Sequence, residues 1–322
     1  MAIPAKVHFC WIGPQLPWAY VFAVLSAAER SGMPEVILHH TDALDRNSEV
    51  EALSGAAGIT LRRIDPIACL THAGGALGIG QQLAAIYGTL SSPAARTDIL
   101  RAAILFQQGG IYLDMDTVTV SSLLPLLDTM QFAGCEYIVW PYVVRSSRSP
   151  VKWARSLTLD LSRKAMRRMD GGWESFRRVQ QFYYRGINNA VLGAEANSTF
   201  FAHYLRAMST VASDRLRAAY ALGPDLLQNL IDGGGRSDLI VHDPEVFYPL
   251  PPEISEHWFR MRDAVELESV LSPRTRVVHW YASVRTGPRV ALVSPAYVRE
   301  HRKRQFYSAL VCSCISNLPQ DT

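Results

Sequence analysis

Between Ser92 and Asp116 one helical stretch runs almost directly into a short apolar strand, and this segment constrains the fold more than any other. Pro93–Gln108 reads as a helix, with Ser92 placed to cap it and Pro93 suited to its first position. Gly109-Gly110 ends the helix and lets the chain turn sharply. The strand Ile111–Leu113 follows and delivers Asp114-Met115-Asp116. Upstream, strand and helix signals alternate: Val7–Ile12, a helix at Trp18–Arg30, then strands at Val36–His40 and Ile59–Ile64. That rhythm predicts an open α/β sheet, which binds ligands beyond the carboxyl ends of its strands.

The second half reads as helices near Phe200–Ala212 and Pro224–Ile231, strands at Leu239–His242 and Thr275–Trp280, and a final helix from about Pro295 into the apolar Phe306–Ile315. Gly74, Gly75, Gly78 and Gly80 have the wrong order for a dinucleotide-binding loop and read as a flexible loop. With no repeat and no linker, 1–322 is expected to be a single domain. Within it, 145–185 reads as a helical, basic insertion after the strand Tyr137–Trp140. It holds eleven Lys and Arg residues against Asp160, Asp170 and Glu174. A solvated helical face is its plain interpretation. If the cations share a face, they would attract an acidic acceptor or an anionic membrane. Arg299, Arg302, Lys303 and Arg304, followed by Phe306–Leu310, would add an interfacial anchor.

Apolar residues make up 48% of the 322 and charged residues 19%, enough for a substantial core. A net charge of +3 argues against a dedicated nucleic-acid binder. The five cysteines have no zinc spacing, and free thiols in a reducing compartment fit them best. No signal-peptide pattern and no long apolar run stands out, so the expectation is a cytoplasmic protein, at most membrane-peripheral.

Asp98 and Arg101, three apart on a helix, share one face. Asp114 and Asp116, two apart, point the same way on a continuing strand and can still converge on a turn. Two carboxylates at that spacing suit Mn²⁺ or Mg²⁺, hard cations that bridge protein oxygens to phosphates. A nucleoside diphosphate leaving group develops negative charge that such an ion neutralises, and Arg101 would add a second positive group.

The string TDILRAAILFQQGGIYLDMDT resembles the DxD region of the sugar-binding glycosyltransferase superfamily that includes family 32, and is similar to the catalytic domains of clostridial glucosylating toxins. VHFCWIG, NNAVLGA, LGPDLL, FYPL and VVHWYAS extend the likeness over residues 3 to 283. The resemblance implies a GT-A fold, a Rossmann-like open sheet with flanking helices. It further implies a retaining, metal-dependent enzyme with a nucleotide-sugar donor, UDP-sugar favoured over GDP-sugar. The acceptor is left open between a glycan, a small molecule and a protein. Trp11 would stack on the donor base, with Ile12 and Tyr112 beside the donor; Asp98 and Arg101 would hold sugar and diphosphate. Asp114 would meet ribose and sugar hydroxyls, with metal contact through water. Asp116 would bind the metal directly, and Asn189 would face the sugar. His279 and, less securely, Ser283 occupy places where relatives return to the metal or diphosphate. Arg285 stands where the toxins have tryptophan.

Two rivals use the same residues. LDMDTV also fits the motif of haloacid-dehalogenase-type phosphatases, with Asp114 attacking phosphorus and Asp116 as acid/base, although that motif normally opens its fold. Alternatively, the basic segment makes the chain a non-enzymatic interaction module.

Overall fold

The computed structural model describes residues 2–218, 220–234 and 239–320. A seven-stranded sheet forms its centre, built from β1 (Lys6–Trp11), β2 (Glu35–His40), β3 (Ile59–Arg63), β4 (Gly110–Leu113), β6 (Gln131–Ile138), β7 (Tyr184–Ala194) and β8 (Leu239–His242). The order across it is β3-β2-β1-β4-β7-β6-β8. Only β7 runs antiparallel to its neighbours, so six strands bring their carboxyl ends to one edge. A separate ribbon pairs β5 (Thr117–Thr119) with β9 (Val277–His279) and sets Thr117 opposite His279.

Both faces of the sheet are covered, which explains why its strands read as apolar runs. Val7, Phe9, Ile111 and Leu113 join the core beneath helix Trp18–Arg30 and the carboxyl-terminal helices. Cys10 and Tyr112 point the other way, into the core of helices Pro93–Gln108 and Thr199–Ser209. The turn between Gln108 and β4 needs both glycines. Their φ angles are +59° and +107°, and a Cβ on Gly109 would stand 2.7 Å from the Ala196 amide nitrogen. Gly109 N–H closes the helix by donating to Leu105 O at 2.9 Å.

Several expectations are corrected. Ser92 makes no side-chain cap; its carbonyl accepts from Arg96 N–H, and Pro93 alone marks the helix start. The glycine cluster is no flexible loop. It is the crossing of helices Pro66–Gly75 and Gly80–Thr89, where a Cβ on Gly74 would lie 2.6 Å from Gly80 Cα. Gly74 and Gly80 serve close backbone approach, while Gly78, with φ of +73°, shapes the turn between the helices. The final helix is two, Pro295–His301 and Phe306–Cys314. Phe306, Tyr307 and Leu310 are buried against helix Trp18–Arg30 and its surroundings, so the expected interfacial anchor is core.

Residues 142–182 are helical and lie between β6, which ends at Ile138, and β7. Their cations do not share one face. Arg145 holds Asp225, Arg163 holds Asp160 and Glu253, and Arg167 holds Glu256, while Arg185, expected in the helical segment, lies on β7 and holds Asp243. Arg163 is the most enclosed of these, its side chain 13% exposed beside Glu253 at 10%. The second Glu253 oxygen accepts from Val139 N–H at 2.8 Å. Among the described residues no helix is long and apolar enough to cross a membrane.

Candidate active site

Helix Pro93–Gln108 and β4 place four charged side chains at the carboxyl edge of the sheet. Arg101 is the hub. Its guanidinium, 4% exposed as a residue, reaches Asp114 Oδ1 at 2.8 Å and Oδ2 at 3.2 Å, Asp98 Oδ1 at 3.3 Å, and the Asn189 carbonyl at 2.5 Å. It also stacks over the Tyr112 ring, 4.8 Å from the centroid. Tyr112 O–H donates to Asp114 Oδ1 at 3.1 Å, and Asn189 Nδ2 donates to Asp98 at 2.7 Å. Burial alone would favour the neutral arginine, but Asp114, Tyr112 and Asp98 together more than offset it and keep the guanidinium charged. One buried cation thus holds two carboxylates that would otherwise repel.

Asp116 lies on the turn between β4 and β5 and faces His279 on β9. His279 Nε2 is 3.0 Å from Asp116 Oδ1, Ala282 N–H donates to Asp116 Oδ2 at 2.7 Å, and Trp280 N–H donates to the Asp116 carbonyl at 3.0 Å. Burial pushes Asp114 up to about 6, with Arg101 pulling back and Asp116 adding repulsion. Burial also works against ionised Asp116, yet His279 and the Ala282 amide win and hold it below the usual carboxylate range. His279 is raised in turn, since Asp116 outweighs its own burial.

Among the described residues, Asp114, Asp116 and His279 form the one group of three whose ligand atoms lie within 4.8 Å of one another. Two carboxylate oxygens and an imidazole nitrogen are a donor set that suits Mn²⁺ and accommodates Mg²⁺. Asp114 keeps 21% of its side chain exposed and Asp116 15%, so both oxygens remain accessible from the edge.

The other candidates vary. Trp11, at the end of β1, is half-buried; its ring lies 4.9 Å from Tyr20, and Nε1–H donates to Gln15 O. Ile12 follows it, partly exposed. Asn189 is 5% exposed and committed to Asp98, which makes it a brace of the acidic pair. Ser283 is exposed on the turn Ala282–Thr286, which also carries Arg285.

Sequence reasoning missed Glu136, Tyr281 and Gly223. Tyr281, with φ of +60°, donates to Glu136 Oε2 at 2.6 Å, and its ring centre lies 4.0 Å from that of His279. Burial pushes Glu136 up to about 7. An acid inside the buried strand QFAGCEYI was the available signal, since an isolated buried carboxyl needs a partner. Gly223 leaves room for the Asp98–Asn189 pair: a Cβ there would stand 2.7 Å from Asp98 Oδ2.

A mixed open sheet with flanking helices, carrying a DxD turn at its carboxyl edge, is the arrangement of a GT-A fold. Residues 78–133, the segment bearing Asp98, Arg101, Asp114 and Asp116, match the family model described as glycosyltransferase sugar-binding region containing DXD motif, and the chain is accordingly a glycosyltransferase. No curated protein sequence matches the chain. Solved structures with a similar outline include the ligand-free glycosyltransferase domain of the YGT toxin, 11% identical over 74% of this chain and 80% of that one, with a TM-score of 0.44. The galactosyltransferase LgtC, in complex with donor and acceptor sugar analogues, is 14% identical over 98% and 97%, with a TM-score of 0.46. Mouse xyloside xylosyltransferase 1 is 11% identical over 86% and 97%, also at 0.46.

The phosphatase alternative is not favoured. The DxD segment itself matches a model described as a sugar-binding glycosyltransferase region.

Proposed function

We propose that the chain moves a sugar from a nucleotide-sugar, UDP-sugar in preference to GDP-sugar, to a glycan, small-molecule or protein acceptor, with a divalent cation and retention of anomeric configuration. The Asp114–Asp116–His279 cluster carries this reading, because three potential ligands converge where an open sheet binds its substrates. Asp116 and His279 would hold Mn²⁺ or Mg²⁺ directly, with Asp114 completing the set or contacting ribose and sugar hydroxyls. The cation supplies charge neutralisation at the departing diphosphate. Arg101 would hold Asp114 and Asp98 in place for the donor; with its guanidinium already occupied, positioning is its main task. Trp11, beside Ile12, offers a base-stacking face, and Ser283 would close on the diphosphate from the turn after β9; the Arg285 side chain lies outside the described residues.

The test is release of free UDP from a panel of UDP-sugars by EDTA-stripped protein, with Mn²⁺ added back. Metal-restored turnover that is lost in Asp116→Asn supports the reading. Equal turnover with and without metal, or in the variant, sinks it. GDP-sugars run in parallel decide the base preference.

A further inference from the structure

Helix Pro150–Arg168 buries a mixed polar and apolar side and leaves a row of large apolar side chains exposed. Its buried residues are Ser156, Asp160 and Met166, and Asp160 is clasped by Arg163 and Lys164 while Arg163 reaches Glu253. Facing out are Trp153, 45% exposed, Leu157 at 53% and Leu161 at 60%. Residues 153, 157 and 161 are four apart and therefore form a single stripe. An exposed leucine alone needs no explanation, but three large apolar side chains in register do. The stripe continues inward at Trp153, which packs on Trp140 with ring centres 5.2 Å apart and donates Nε1–H to Ser147 O at 2.8 Å. That bond fixes the indole at the rim.

The charges around the stripe are of one sign. The helix's only acid, Asp160, is buried and neutralised. Lys164 and Arg168 lie on the outer side, beyond Leu157 and Leu161, and both are exposed. Arg148 and Lys152, also exposed, stand at the other end. Arg148, Lys152 and Arg168 have no acidic partner among the described residues. The next acid along the chain, Asp170, pairs with Arg260 at 3.1 Å.

We propose that this outer face docks on an anionic phospholipid bilayer. Trp153, Leu157 and Leu161 would enter the acyl–headgroup boundary, while Lys152, Lys164 and Arg168 meet lipid phosphates. An apolar stripe flanked by cations, with an indole at its edge, is the chemistry of an interfacial helix. An acidic protein would satisfy the cations but leave the stripe wet, and a second copy would bring like charges together. The segment grows from the carboxyl end of β6, the sheet edge that also carries Asp114. Docking therefore sets the active-site edge near the lipid surface. The proposal stands apart from the identity of the donor sugar.

The experiment is flotation of the full chain with vesicles of phosphatidylglycerol in phosphatidylcholine, and with phosphatidylcholine alone, at low and high salt. The expected result is binding to the anionic vesicles, weakened by salt. Leu157→Gln/Leu161→Gln should lower the bound fraction about tenfold, and Lys152→Gln/Arg168→Gln should lower it comparably. Glutamine keeps helix propensity at exposed sites, and unchanged thermal midpoints and UDP release confirm that the variants fold. Failure of the wild type to float with anionic vesicles overturns the proposal. So does equal flotation of the leucine variant, or a concentration-dependent dimer that the leucine variant abolishes while vesicle binding is unchanged.

Discussion

Asp116 Oδ1 and His279 Nε2 stand 3.0 Å apart, brought together by the register that sets Thr117 opposite His279 in the β5–β9 ribbon. Neither side chain has this neighbour through local sequence. The ribbon converts a DxD turn into a three-ligand cluster, and the sharpest consequences concern the cation. His279→Ala should weaken Mn²⁺ binding by more than about 100-fold, above the range typical for outer residues of a metal site, while nucleotide binding without metal changes little. Titration calorimetry with Mn²⁺ checks both. Wild-type Mn²⁺ affinity in a folded His279→Ala protein would falsify the ligand assignment.

The same cluster makes binding depend on pH. A cation takes Asp114 only as carboxylate and His279 only as neutral imidazole. Asp114 is pushed up to about 6, and His279 is raised as well. Protons therefore compete increasingly as pH falls, and Mn²⁺ affinity should drop steeply below about pH 6. An affinity flat from pH 7 to 5 would contradict this.

Trp11→Ala should cost nucleotide binding about 1–3 kcal/mol, the scale of base–aromatic stacking. The half-buried ring also packs on Tyr20, so thermal unfolding must be followed alongside. Unchanged UDP affinity in a folded variant would make Trp11 a core residue and nothing more.

Arg163 and Arg168 test what the basic segment does for stability. Removing Arg163 takes a close cation from two buried carboxylates, Glu253 and Asp160, and Arg163→Ala should lower unfolding free energy by about 3–5 kcal/mol. Arg168→Ala, at an exposed site, should stay within about 0.5 kcal/mol. Urea denaturation distinguishes the two, and equal effects would show that the Arg163–Glu253 pair is not structural.

A histidine pair beside the sheet predicts acid lability. Gly109 O can only accept, so His8 Nε2–H donates to it at 2.9 Å, and His8 Nδ1 then accepts from His39 Nε2–H at 3.0 Å. Both rings are buried and neutral; burial lowers His8 to about 4 and His39 to about 2. The unfolded chain takes up protons near the ordinary 6.5 while the native one does not. Stability is therefore complete above that value and falls as pH drops from about 6.5 toward 4, by up to about 1.4 kcal/mol per pH unit for each ring. Thermal midpoints across that window should fall less steeply in His39→Gln, which cannot charge.

Local chemistry made much of this legible in the sequence. Pro93, the glycine pair and the short strand fix a helix, a φ-positive turn and a buried strand in succession, because each depends on backbone angles and apolar period alone. The paired acids of the DxD turn are visible for the same reason. Tertiary structure decided the rest. The sequence put Arg101 near a diphosphate, but packing encloses it among Asp98, Asp114 and Asn189, because a buried cation must find its counter-charges inside. The apolar Phe306–Leu310 reads equally well as anchor or core, and contact with helix Trp18–Arg30 makes it core. The run of cations in 145–185 reads as one positive face, yet helical phase turns Arg163 and Arg167 inward to Glu253 and Glu256, while Arg145 and Arg185 pair with Asp225 and Asp243 at the surface. Partners distant in the chain leave no local signature, and so the union of Asp116 with His279, of Glu136 with Tyr281 and of Arg163 with Glu253 exists only once the sheet is assembled.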